Sequence, residues 1–190
     1  MRNPNLWMVF LVAAITNVSL ATAEDARPVQ QEYRVNAGDR LEISVWREPD
    51  LQREVLVRPD GRMSFPLAGE VQAAGRTVAQ IREDLEGRLT RYIPDLVLTV
   101  TVTDVSGNRI YVVGQVARPG SFVMNPDLDV MQALSLAGGT TPFASLKDIR
   151  ILRRQGDRRS AIPFDFTDVS RGRGLEQNIV LRSGDVVVVP

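Results

Sequence analysis

Three short phrases each occur twice along this chain, and any fold for it has to accommodate both copies. Gly69-Glu70-Val71-Gln72-Ala73-Ala74-Gly75 and Gly114-Gln115-Val116-Ala117-Arg118-Pro119-Gly120 share a glycine, Glu or Gln, valine and a closing glycine. Thr77-Val78-Ala79-Gln80 and Asp129-Val130-Met131-Gln132 each open a helical pattern, while Gly38-Asp39-Arg40-Leu41 and Gly184-Asp185-Val186-Val187 each start a strand. Recurrence of all three phrases in the two halves points to two related units in tandem.

The units are small sheets, each crossed by one helix. Leu41, Ile43 and Val45 alternate with Glu42, Ser44 and Trp46, the period-2 pattern of a strand with one buried face. Val55 to Arg58 and Arg62 to Phe65 flank Pro59-Asp60-Gly61, a hairpin signal. Thr77 to Ile93 reads as a helix with Val78, Ile81, Leu85 and Leu89 inward, opened by a Thr77/Gln80 capping box and closed by Pro94. Leu96 to Thr103 follows as a strand, apolar enough on both faces to be central in its sheet. The turn-rich stretch Asp104 to Asn108 marks the boundary between domains 33–105 and 109–190.

In the second domain, Ile110 to Val113 and Ser121 to Met124 are strands, and Asp129 caps a helix through Ala137 that Gly138-Gly139 stops. Ile149 to Arg153 and Ser160 to Phe164 form a hairpin about Gln155-Gly156-Asp157. Residues 165–178 read as loop with a helical turn, and Ile179 to Leu181 with Val186 to Val189 finish the sheet. The fold class is α+β, two small tandem sheet-plus-helix domains.

Residues 1–23 read as a secretory signal peptide: Arg2, an apolar run from Leu6 to Ile15, and Ala21-Thr22-Ala23 before a cleavage expected after Ala23. The run of 10 apolar residues is short of the roughly 20 that span a bilayer. Residues 24–32 follow as a flexible leader. With no Cys and no His the chain has neither disulfides nor the commonest general base and metal ligand. Residues 24–105 carry 11 basic and 15 acidic groups, net −4, and 106–190 carry 11 and 8, net +3. That imbalance is too small to indicate nucleic acid.

No constellation reads as an active site. Without His or Cys a nucleophilic triad fails, and Lys147, the single lysine, is a surface charge beside Asp148. Asp39, Asp60, Asp157 and Asp185 could supply a hydrolytic carboxylate pair, but each adjoins a glycine or sits in a predicted turn, where aspartate bonds to nearby backbone. An enzyme reading predicts that Asp39→Asn or Asp60→Asn abolishes turnover in a folded protein. No metal site, phosphate loop or cofactor is indicated. The basic cluster Arg150, Arg153, Arg154, Arg158 and Arg159 is either the solvent face of a hairpin or a contact for an anionic partner such as an acidic polysaccharide. Trp46 and Tyr111 are either core aromatics or stacking surfaces for sugar rings, which makes Trp46, Tyr111, Arg150, Arg153 and Arg154 the candidate glycan contacts.

The ordered motifs resemble the outer-membrane polysaccharide export family. Val35-Asn36-Ala37-Gly38-Asp39, Ile43-Ser44-Val45-Trp46, Asp60-Gly61 and Phe65-Pro66-Leu67-Ala68-Gly69-Glu70-Val71 are similar to its export domain. Val112-Val113-Gly114-Gln115-Val116, Pro119-Gly120, Ala133 to Gly139 and Gly184 to Pro190 resemble one SLBB domain, a β-grasp module. The resemblance implies a non-enzymatic periplasmic component of capsule or exopolysaccharide export, a ring-shaped homo-oligomer docked to an inner-membrane polysaccharide co-polymerase. The absence here of the family's amino-terminal lipid-modified Cys, further SLBB repeats and carboxy-terminal pore helix leads us to expect an adaptor that depends on a separate outer-membrane channel protein. A soluble periplasmic glycan-binding protein without a conduit role is the alternative.

Overall fold

The computed structural model of the chain describes residues 32–190. The expected signal peptide and the leader up to residue 31 lie outside the described residues.

Strand β1 (Arg40–Val45) buries Leu41, Ile43 and Val45, as its alternation predicts. It turns back through Trp46-Arg47 and pairs antiparallel with β2 (Glu48–Leu56), with Val45 opposite Glu48. The pairing corrects the expected hairpin about Pro59-Asp60-Gly61. The turn exists, with the Gly61 N–H donating to the Arg58 carbonyl at 2.8 Å, but the strands on either side of it pair elsewhere. β3 (Arg62–Phe65) pairs with β4 (Gly69–Gln72) in a sheet of their own. A turn signal specifies only local reversal; which ladders form is decided by burial of Val55, Met63, Phe65 and Val71 in the same core.

Helix α1 (Val78–Leu89) buries Ile81, Leu85 and Leu89 against that core. It ends four residues short of the expected Ile93, because Pro94 disfavours helical backbone before it and the chain must turn into β5 (Leu98–Asp104). The sheet order is β2-β1-β5, so β5 is an edge strand, contrary to the expectation that it is central. Its apolar count misled: Thr99, Thr101 and Thr103 have β-branched shapes suited to strands but face solvent, and only Leu98 and Val100 are buried.

The second half is a five-stranded sheet in the order β7-β6-β10-β8-β9. Its strands are β6 (Arg109–Gly114), β7 (Gly120–Val123), β8 (Ile149–Gln155), β9 (Arg158–Phe164) and β10 (Val186–Val189). β10 lies parallel to β6 and antiparallel to β8. Helix α2 (Val130–Leu136) buries Val130, Ala133 and Leu134 on one sheet face, in a core with Ile110, Ile151 and Val187. The expected strand at Ile179 to Leu181 is instead one isolated bridge between Val180 and Asp129. A short helix α3 (Phe166–Val169) and a 3-10 turn (Leu175–Gln177) occupy the predicted loop.

Two of the three repeated phrases are one device used twice. Thr77 and Asp129 each cap their helix with a complete capping box, Gln80 and Gln132 returning the second bond. Each cap residue bridges a segment that leads into a buried aspartate: Arg34 opposite Thr77, and Val180 opposite Asp129. One residue on, Val35 N–H donates to Arg76 and Leu181 N–H to Leu128, at 3.0 and 2.8 Å. Asp39 and Asp185 then accept from the backbone N–H three residues before them, at 2.7 and 2.9 Å, and each starts the central strand of its sheet. The chain order is permuted: this segment precedes the helix in the first half and follows it in the second. The phrase beginning at Gly69 and Gly114 is not so repeated, since Gly69 opens β4 whereas Gly114 ends β6.

Candidate functional site

The aspartates that could have formed a hydrolytic pair are held in turns. Asp39 is fully buried and accepts from the Tyr33 hydroxyl (2.6 Å), the Asn36 N–H (2.7 Å) and the Gly107 N–H (2.9 Å). Burial, then the bond to Asp39, pushes the Tyr33 phenol up, so it stays a neutral donor. Asp60 is exposed in its turn, and the Arg58 guanidinium, with the Arg62 N–H, holds its carboxyl below the ordinary value, the wrong direction for a general acid. Asp157 lies at the exposed tip between β8 and β9. Among the described residues no cluster of three metal-ligand side chains occurs, and no helix is long and apolar enough to cross a membrane.

Asp185 corrects one candidate contact. Arg153 donates to its carboxylate from Nε (3.0 Å) and Nη2 (2.6 Å), and the Arg153 side chain is only 11% exposed. Strand alternation puts Arg153 on the same side as Ile149 and Ile151, beneath the sheet, so its fork is engaged by the protein and not offered to glycan.

Arg150 and Arg154 do face outward, and so does Tyr111, which is 44% exposed. The register assembles them into one surface. Tyr111, Val186, Leu152 and Ala161 lie side by side across four strands, and Val113, Val188, Arg150 and Pro163 make the next row. Arg154 sits opposite Arg159 at the margin. The resulting open face is apolar in the middle, basic at its edge and has no Asp or Glu in these rows. The sequence singles out Tyr111 and the arginines but not Val113, Leu152 and Val188, which share their face, because an outward valine cannot be told from an inward one until the register is known.

Trp46 lies elsewhere, on the first domain. It is 70% exposed, and its backbone N–H donates to the Val97 carbonyl at 2.9 Å. Beside it opens a cleft of about 350 Å³ lined by Ser44, Glu48, Gln52, Val97 and Thr99 among others. The sequence marked Trp46; the rest come together only through the β2-β1-β5 pairing.

Residues 27–103 match the family model described as polysaccharide biosynthesis/export protein, and residues 109–163 match the SLBB domain. The chain is 28% identical to the EPS I polysaccharide export outer membrane protein EpsA of Ralstonia nicotianae, over 83% of this chain and 47% of that protein. It is 27% identical to the capsule polysaccharide export protein BexD of Haemophilus influenzae, over 80% and 42%. With the polysialic acid transport protein KpsD of Escherichia coli the identity is 24%, over 83% and 28%. The chain thus spans less than half the length of these relatives. An export domain followed in the same chain by an SLBB domain places this protein in the polysaccharide export family.

Proposed function

We propose that the protein is a non-enzymatic periplasmic component of a capsular or exopolysaccharide export machine, forming or extending an oligomeric conduit that passes polymer to the outer membrane. The observation that carries this reading is the ordered pair of export and SLBB domains over residues 27–163. The open sheet face supports it. An apolar centre of Tyr111, Val113, Leu152 and Val188 suits a protein neighbour in a homo-oligomeric ring, while Arg150 and Arg154 at its margin suit carboxylates of an acidic glycan. Trp46, Arg150 and Arg154 remain the proposed glycan contacts, while Tyr111 passes to the protein neighbour. The inner-membrane polysaccharide co-polymerase and a separate outer-membrane channel are the partners this role requires, after export and cleavage behind Ala23.

The test is the location of polymer in cells lacking the gene, measured separately on the surface, in the periplasm and on lipid-linked precursors, with plasmid restoration. The conduit reading expects loss from the surface while precursors are still made. Unchanged surface polymer of altered chain length would overturn it in favour of a glycan-binding protein that controls length.

A further inference from the structure

Two-residue hairpin turns are ordinarily built from Gly, Asn or Asp, which accept the backbone such turns need. The turn between β1 and β2 is Trp46-Arg47, with Arg47 at φ +65°, a conformation unfavourable to a residue with a Cβ. It lifts the indole out of both cores, 70% exposed, although a side chain of that size is usually highly buried. Such backbone outliers cluster at ligand sites, but Leu67 and Asp95 also take positive φ, so it is the exposed ring and its neighbours that point to work outside the fold.

The surroundings of the ring say what kind of work. Val97, itself 60% exposed, adds a second apolar wall. Ser44 and Thr99 are cross-strand partners whose hydroxyls sit on the outer side of the sheet, and Gln52 and Glu48 add an amide and a carboxylate. The cleft of about 350 Å³ falls at the small end of the range for ligand sites, roughly 300–1,000 Å³. A flat aromatic face bordered by two hydroxyls, an amide and one charge of each sign, from Arg47 and Glu48, matches a sugar ring, which has an apolar face of C–H groups and an equatorial belt of hydroxyls. Arg47 and Glu48 offset one another in charge, so the cleft does not select a strongly anionic group, and the polar rim disfavours a lipid chain.

We propose that the Trp46 cleft is a subsite for one pyranose ring of the exported polymer, stacked on the indole with its hydroxyls bonded by Gln52, Glu48 and the Ser44–Thr99 pair. This rests on the reading that a polysaccharide is the cargo. A site this open holds a single ring weakly, as transport requires, since a polymer must leave each site it enters.

The chain contains two tryptophans, Trp7 and Trp46, so in a Trp7→Phe full-length protein the indole fluorescence reports Trp46 alone. The probe is size-fractionated fragments of the producing strain's own surface polysaccharide. The expected result is a saturable change in that fluorescence. By calorimetry with the same fragments, Trp46→Ala should weaken binding about tenfold, and Trp46→Phe or Gln52→Ala by about threefold. In cells, Trp46→Ala should slow appearance of surface polymer while the protein level is unchanged. No saturable change with fragments of any size would overturn the subsite. So would binding that Trp46→Ala leaves intact, and so would an export defect in Trp46→Ala without fragment binding, which would make the tip a protein contact. The broader reading fails separately, by unchanged surface polymer in the gene deletion.

Discussion

Asp39 and Asp185 are both wholly buried, and each follows a glycine at positive φ, Gly38 at +98° and Gly184 at +86°. A buried carboxylate is tolerated only where donors surround it, and here the donors are turn backbone in both cases, plus Tyr33 and Gly107 for Asp39 and Arg153 for Asp185. The two sites differ in what breaking them does. Asp39 keeps only neutral donors, whereas Arg153→Ala would leave the Asp185 charge buried without its cation. We expect that variant to lose about 3–5 kcal/mol of unfolding free energy in a denaturant titration, with a smaller loss for a surface control such as Arg154→Ala. Such residues were visible in sequence as Gly-Asp pairs and were correctly read as turn-formers. That the second one captures an arginine from the basic cluster was not visible, because Arg153 and Asp185 are brought together across β8 and β10.

At the scale of elements, the helices were the most legible part of the chain. A capping box is a contact between residues three apart, so its chemistry is complete within one turn of sequence. Both boxes form, and Gln80 N–H to Thr77 Oγ1 (3.3 Å) and Gln132 N–H to Asp129 Oδ1 (2.8 Å) differ in length as a hydroxyl and a carboxylate acceptor should. Thr77→Ala and Asp129→Ala should each cost about 1 kcal/mol by thermal unfolding, the aspartate somewhat more, and each is restored by Ser. Strand pairing was less legible. β2 pairs with β1 and not β3, and β10 inserts between β6 and β8. Such partners are set by which hydrophobic faces must share a core, a condition no single strand encodes.

Across the whole molecule, two hydrophobic cores stay separate, Leu41 to Leu89 with β5 in one and Ile110 to Val189 in the other. Glu32–Pro190 nonetheless packs as one compact unit. Gly107 is where the halves are fastened. Its N–H binds Asp39, its carbonyl accepts from the Ser183 hydroxyl at 3.0 Å, and an added Cβ would collide with the Ala37 carbonyl oxygen. Gly107→Ala should therefore cost about 2 kcal/mol or more, and limited proteolysis should show faster cleavage near residues 104–108 than in the wild-type protein. Unchanged protection would mean that the joint is held by other contacts. The joint matters for the proposed conduit, since the Trp46 cleft and the open sheet face belong to different halves of the molecule.

By itself the sequence determined what depends on near neighbours: the two longer helices, α1 and α2, and their caps, the alternating strands, the glycine turns, the α+β class and the order of motifs that marks the family. It also excluded, through its lack of His and Cys, the commonest catalytic and metal chemistries. Only the tertiary structure decided which strands lie side by side. That choice put β5 at an edge, turned Arg153 inward and gathered Tyr111, Val113, Leu152 and Val188 onto one face. It also brought Val97 and Thr99 to the tryptophan. The reason is physical. Hydrogen bonds within a turn or a helix are satisfied locally, whereas sheet register is selected by burial of residues many positions apart, and the surfaces proposed to meet partners and polymer are made by that register.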